Sequence, residues 1–330
     1  MHNVHRRLVA QSGIALALAT TLGIAQAQSR RDLAKIYVGF APGGMPDSVA
    51  RRVSHELTGS YAKAVVVENK AGAGGQIAVS ELARQSNDGS NLLFSASAML
   101  SVYPHVFKRL PYDPFTDVVP ICSAGTLALA IAVGPMVPPS VVDLKSLAAW
   151  FRANQQNSAY GSPGAGSPPH LLGMLFGEAT KLQIAHAPYR GTQLAIADLL
   201  GKQLPVVIST QGEFFQHQKD GKLRVIAVTG KKRSQFLPEV PTVAEQGFAE
   251  IDTDAGFVGF FAPKGTSAQV AQAAYAALKP ALEKESVVRT MHDFGIVPDV
   301  QPAEVAARLL RSEFESWKVV VEKTGFKPDA

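Results

Sequence analysis

The sequence predicts an α/β fold in two similar lobes, and three observations predict it. Strand-like apolar runs alternate with helical periodicity along the 330 residues, the pattern of βα units. Glycine-rich loops follow the strands and precede the helices. Two such βα series occur, with a late strand and a wholly helical tail after them. Each lobe is therefore expected to hold a mostly parallel sheet flanked by helices.

Residues 1–27 read as a secretory signal. Arg6 and Arg7 give a positive start, 14–19 and 22–25 a short apolar core, and Ala25-Gln26-Ala27 an A-x-A cleavage site. The mature chain is expected to begin at Gln28 and to be periplasmic. The apolar run is too short and too alanine-rich for a membrane anchor. No cysteine follows the cleavage site to carry a lipid. The general secretory route is favoured over twin-arginine export, since two adjacent arginines are common in ordinary signals.

The elements then follow in order. Residues 36–40 form a first strand, and 41–44 a loop. Pro46 and Asp47 open a helix with Val49, Val53 and Leu57 on one face. Valine-rich 64–68 is a second strand, and 71–75 a second glycine loop before a helix carrying Ile77 and Leu82. Residues 91–95 make a third strand. Apolar runs from 121 and over 127–133 are strand-like, and a helix spans about 142–153. Next comes Tyr160-Gly-Ser-Pro-Gly-Ala-Gly-Ser-Pro-Pro-His170, followed by Leu171, Leu172, Leu175 and Phe176 at helical spacing. Ser167 suits the N-cap and Pro168 the first helical position. Residues 183–187 are a short strand, and 188–192 lead to a helix with Leu194, Ala195, Leu199 and Leu200, which Thr192 is expected to cap. Strands at 204–208, 223–228 and 256–262 precede tail helices at 267–282, 286–294 and 302–323.

Composition narrows the function. Hydrophobic residues are 46% and charged residues 18%, which leaves ample core and argues against disorder beyond the termini. Losing Arg6 and Arg7 with the signal lowers the net charge from +5 to about +3. Basic residues are scattered without an aromatic stripe, so nucleic acid is not a partner. Cys122, the single cysteine, has no disulfide partner and an apolar setting, which reads as an inert thiol. Such an exported chain must rely on its core.

Catalytic motifs are missing. There is no G-x-S-x-G elbow, H-E-x-x-H pair, Walker loop or dinucleotide fingerprint. His55, His105, His170, His186, His217 and His292 are too far apart in sequence to suggest a metal pair, so neither metal nor cofactor is expected. Asp252-Thr-Asp254 reads as a solvated turn. What remains is a set of helix starts suited to anions: Gly43-Gly44, Gly74-Gly75, Gly164–Ser167 and Gly191-Thr192. Helix N-termini present unpaired N–H groups and a positive dipole end, and glycines let an anion approach. Each loop alone is equally readable as an ordinary capped turn. His170 is expected to stay neutral at such a positive end.

Together these segments resemble a family. Phe40-Ala-Pro-Gly-Gly44 with Asp47, Val65–Asn69 with Ala71-Gly-Ala-Gly-Gly75, Leu110-Pro-Tyr-Asp-Pro114 and Gly166-Ser-Pro-Pro-His170 occur in order. Pro188-Tyr-Arg-Gly191, Asp198-Leu-Leu-Gly201, the 221–229 strand, the 238–245 turn and Phe261-Ala-Pro263 complete the set. The chain resembles the periplasmic solute receptors of tripartite tricarboxylate transporters, the Bug or TctC-like proteins.

The resemblance implies a periplasmic-binding-protein (Venus-flytrap) fold. Lobe 1 would comprise 28–125 plus 251–330, and lobe 2 126–250, with hinge crossings near 122–126 and 251–256. It implies a monomer that captures a small organic carboxylate in the interlobe cleft and delivers it to membrane permease subunits, without catalysis. Carried over by motif, ligand contacts would come from Ala41, Pro42, Gly43, Gly44, Gly72, Gly74, Gly75, Ser95 and Ser97. The second lobe would supply Gly164, Ala165, Gly166, Ser167, His170, Tyr189, Gly191 and Thr192, with its carboxylate contact at 164–167. Two other functions fit such a chain: a receptor that signals to a membrane kinase, and an exported α/β hydrolase, against which the missing motifs argue.

Three positions depart from the family pattern. Met45 and Pro46 stand where a glycine and a small hydroxyl residue are usual. Ser209 stands at a strand end often occupied by aspartate, and Phe257 at an aromatic position commonly tryptophan. A neutral Ser209 and an apolar Met45 point to a non-amino carboxylate with a hydrophobic or aromatic body.

Overall fold

The computed structural model describes residues 31–253 and 255–326. The expected signal at 1–27 and Asp254 of the acidic pair lie outside them. The chain opens with β1 (Arg31–Val38), α1 (Met45–Leu57), β2 (Ala62–Asn69), α2 (Gln76–Ala83) and β3 (Asn91–Ala96). Two one-turn helices, α3 (Ala98–Ser101) and α4 (Tyr103–Val106), lead to β4 (Val118–Thr126). The middle runs β5 (Leu129–Val133), α5 (Leu144–Ala153), β6 (Ala159–Ser162), α6 (Pro168–Thr180) and β7 (Ala185–Pro188). It continues with α7 (Thr192–Leu200), β8 (Val206–Thr210), α8 (Phe215–Lys219) and β9 (Arg224–Val228). The tail comprises β10 (Phe257–Pro263), α9 (Ala268–Leu282), α10 (Glu285–Asp293), β11 (Val297–Pro298) and α11 (Ala303–Thr324).

Two sheets organise two lobes. The six-stranded sheet has the order β11-β4-β10-β3-β1-β2, and the five-stranded sheet β7-β6-β8-β5-β9. Period-2 alternation sorts the first sheet's side chains between two cores. Ile36, Val38, Leu92 and Phe94 face α1, α9 and α10, meeting Val49, Val53, Leu278 and Met291. Tyr37, Leu93 and Phe261 pack with Leu82, Leu310 and Trp317 on α2 and α11. In the second sheet Leu129, Ile131 and Ile208 pack on α5 and α6, whereas Ala130, Ala132 and Val207 pack on α7.

The sheets are mixed rather than mostly parallel. β1 pairs in parallel with β2 and β3, and β6 with β7 and β8. The other pairings run antiparallel. The reason is threading. β10 returns from the second sheet and inserts between β3 and β4, while β5 inserts between β8 and β9. A strand that enters from the other lobe has no βα crossover to fix it parallel.

The two passages between sheets lie side by side, where the Leu127 N–H donates to the Gly256 carbonyl at 3.0 Å. Next to them, Gln211 binds both lobes. Its N–H donates to the Ala128 carbonyl at 3.0 Å and its Nε2 to the Gly295 carbonyl at 2.8 Å. A Cβ on Gly212 would overlap the Phe294 backbone, which has no far end to swing aside. Gly212→Ala is expected to cost about 1–3 kcal/mol through this overpacking, read as a lower urea midpoint. An unchanged midpoint would show that the contact yields freely.

Candidate ligand-binding site

A cavity of about 550 Å³ lies between the two sheets, bordered by the segments that follow β1, β3, β6, β7 and β8. These are the carboxyl ends of strands, where open α/β sheets place their ligands. Ala41, Pro42, Gly43, Gly44 and Met45 form one part of the wall. Met99 of α3 and Tyr103 of α4 extend it. From the second sheet come Ser167, Gly191, Thr192 and Ser209. Leu127, Leu129 and Ala255 join from the two passages, and Phe294 from the end of α10. The wall is mainly apolar.

Other residues expected at the site do not line it. Gly72, Gly74 and Gly75 stand behind the wall: the Tyr103 hydroxyl donates to the Gly74 carbonyl at 3.0 Å, and Gly75 packs on Met99. The Ser95 hydroxyl donates to the Ala96 carbonyl at 3.1 Å. The Ser97 hydroxyl accepts the Phe257 N–H at 3.1 Å, so it serves the sheet. The Tyr189 hydroxyl donates to Asp198 at 2.6 Å. Gly164, Ala165, Gly166 and His170 also lie off the wall, and the Gly166 N–H is taken by His170 Nδ1 at 2.9 Å.

This changes which helix end is suited to an anion. At α6 the first two helical residues are Pro168 and Pro169, which have no N–H to offer. Ser167 occupies the N-cap position, yet its hydroxyl donates to the Gly164 carbonyl at 2.7 Å and caps nothing. At α7 the N-cap is Gly191, not Thr192, and no side chain caps the helix. The Thr192 hydroxyl pairs with the buried Ser209 hydroxyl at 2.7 Å. The N–H groups of Thr192, Gln193 and Leu194 have no partner among the described residues. All three residues line the cavity. Across it, the N–H groups of Gly44 and Met45 at α1 are likewise unpartnered among the described residues.

The electrostatics of the first lobe are already balanced. Asp47 is buried in the first turn of α1, and burial opposes its charge. Arg51, the Gly43 N–H at 2.9 Å and Asn69 outweigh that penalty and hold its carboxyl below the usual range. The wall also holds Arg190, from within the 188–191 motif, and three residues that sequence reading missed: Gln193, Leu194 and the charged Glu213. Gln193 and Leu194 directly follow the motif at 188–192 and were within its reach. Glu213 follows β8 on the turn Gln211–Phe214, and nothing in its local sequence marked it. Ser209 is neutral, but the cavity has an acid at Glu213.

Behind the wall, His170 and His186 stack with ring centroids 3.7 Å apart. Burial, and then the neighbouring His186, push His170 down to about 3, and burial pushes His186 to about 4. Burial is thus the largest cause holding His170 neutral. Its Nδ1 accepts from Gly166, and His186 Nε2 meets the Ser162 hydroxyl at 2.8 Å. The folded values lie below the unfolded value near 6.5, so the unfolded chain binds more protons as pH falls. The stability they contribute is complete above about pH 6.5 and is lost progressively toward the folded values. The urea midpoint is expected to fall between about pH 6.5 and 4, and His186→Gln to flatten that fall. An equal slope in the variant would show the pair is not the cause.

Comparison with known proteins agrees with this architecture. The profile of the tripartite tricarboxylate transporter family receptor matches residues 49–326. BugT of Bordetella pertussis is 32% identical over 326 residues, covering 97% of this chain and 98% of BugT. The R. palustris protein Rpa4515, solved with adipate, superposes with a TM-score of 0.83 at 25% identity, over 92% of this chain and 100% of that one. MatC from Rhodopseudomonas palustris, solved with bound malate, gives 0.78 at 25% identity, over 89% and 99%. This chain belongs to the tripartite tricarboxylate transporter family of receptors, the Bug and TctC proteins.

Proposed function

We propose that this protein is an exported, periplasmic solute receptor that captures a small organic carboxylate between its lobes and delivers it to the membrane subunits of a tripartite transporter. The observation that carries this reading is the uncapped start of α7, whose Thr192, Gln193 and Leu194 N–H groups border the cavity. Charge-assisted N–H···O⁻ bonds are roughly twice as strong as neutral ones. The helix end adds about 0.3–1 kcal/mol, or up to about 2 when partly buried. Gly44 and Met45 would meet the anion from the other lobe. Met45, Met99, Leu194 and Phe294 favour an apolar or aromatic body. Structural neighbours solved with adipate and with malate support the carboxylate class.

The lobes are taken as 28–125 with 251–330, and 126–250, after a signal ending at Ala27. The chain acts as a monomer, and capture requires neither catalysis nor a cofactor. Closure is a hinge motion about the paired passages at Leu127 and Gly256. No helix among the described residues is long and apolar enough to cross a membrane.

Thermal melting against mono-, di- and tricarboxylates tests the reading. A ligand at a hundred times its dissociation constant is expected to add about 2.7 kcal/mol; no shift across aliphatic and aromatic members would overturn it. Thr192→Pro tests the helix end. Proline is tolerated at the first helical position, and Gly191 already has the extended ψ of 159° that a following proline demands. Losing that N–H is expected to weaken carboxylate binding about tenfold or more. Thr192→Val removes only the hydroxyl, and an equal loss there would assign the effect to Ser209 packing instead.

A further inference from the structure

The N–H groups at α7 and α1 account for the anionic end of a ligand and leave Glu213 unexplained. Among the described lining residues it is the cavity's single carboxyl group, and Arg190 is the single cation. Glu213 lies on the turn between β8 and α8, half-buried. Its Oε2 accepts from Gln193 Nε2 at 2.7 Å, while Oε1 has no partner among the described residues. No basic side chain forms an ion pair with it among those residues, Arg190 included. Burial pushes its carboxyl above the usual range, and the Gln193 amide only partly opposes this.

That second oxygen, Oε1, is not among the buried atoms without a partner, so it is open to solvent, and a ligand that displaces the solvent there must supply a donor in its place. Among the described residues only Gln193 donates to this carboxyl, through its Nε2, and the Thr192 and Ser209 hydroxyls hydrogen-bond to each other. A plain monocarboxylate would bring no donor. The second carboxylate of a diacid would meet Glu213 as a like charge. An N–H or O–H group on the ligand would complete the acceptor.

Resting on the carboxylate reading above, we propose that Glu213 is the specificity-determining acceptor of the cleft, selecting carboxylates that also carry an ammonium or hydroxyl donor over plain carboxylates and diacids. Gln193 is a positioning residue for it. The same helix start then handles both ends of the ligand, with backbone N–H groups for the anion and the Gln193–Glu213 pair for the donor.

Isothermal titration of the mature protein at neutral pH tests this with two matched series. One is hexanoate, its ω-hydroxy and ω-amino derivatives, and adipate. The other is phenylpropionate, phenyllactate and phenylalanine. In at least one series a donor-bearing member is expected to bind about tenfold or more tighter than its parent. Whether the hydroxy or the amino member leads identifies the donor. Glu213→Gln is expected to collapse that ratio toward one, and Glu213→Asp, which withdraws the carboxyl by one methylene, to reduce it. Melting of the unliganded variants establishes that they fold. Parent and donor-bearing ligands binding equally, or adipate binding tightest, would overturn the proposal while leaving the carboxylate reading standing. A ratio unchanged in both variants would do the same. Binding of no member of either series would overturn both.

Discussion

The insertion of β10 between β3 and β4 is the constraint on which the rest of the architecture depends. Every residue of Phe257–Pro263 is buried, and the strand pairs antiparallel on both sides. Phe257, Phe260 and Phe261 are each buried in full or nearly so, with burial worth about 1.5–3 kcal/mol per side chain. Because β10 arrives from the second sheet, its pairing forces the outgoing and returning chain into adjacent positions, joined by the bond from Leu127 to Gly256. The first sheet is therefore not complete until the last quarter of the chain is in place. The same closure sets the passages beside Gln211, which binds to both sides.

From that closure follows the site. Both sheets turn the carboxyl ends of their parallel strands toward one cavity, so separate loops converge without a shared sequence motif. Convergence alone does not make a loop a donor. The α6 start has two prolines and a serine hydroxyl committed to Gly164, and the glycine before it gives its N–H to His170. The α7 start has neither a cap nor a proline. Two similar strand–loop–helix units thus part in chemistry, one packing and one open to a ligand. An anion held by backbone dipoles, with no fully buried cation opposite, can leave as readily as it arrives. The balance of Asp47 by Arg51, Asn69 and Gly43 matters here as well, since an unpaired acid at α1 would repel that anion.

Much of this was readable beforehand. Val49, Val53 and Leu57 marked the buried face of α1, and the valines of 64–68 marked β2, because burial of one face imposes a period the sequence must obey. The loop at 41–45 and the pair Gly191-Thr192 were legible as cleft residues through their place between strand and helix. Gly72–Gly75 carried the same signal and yet stand behind the wall, supporting Tyr103 and Met99. A glycine loop records that the backbone turns tightly there, but not what it turns toward.

The sequence by itself determined the α/β alternation, the family and the positions of the loops, since these follow from local periodicity, turn chemistry and ordered motifs. The tertiary structure alone decided the mixed strand directions, because they depend on which neighbours β5 and β10 slide between. It decided too that beside the cavity the N–H groups of Thr192, Gln193 and Leu194 stay without partners among the described residues while that of Gly166 does not, because this depends on where the ring of His170 packs. Glu213 belongs to the same class. Its meaning comes from standing next to Gln193, twenty residues away in sequence, and from bordering a cavity that neither sheet forms alone.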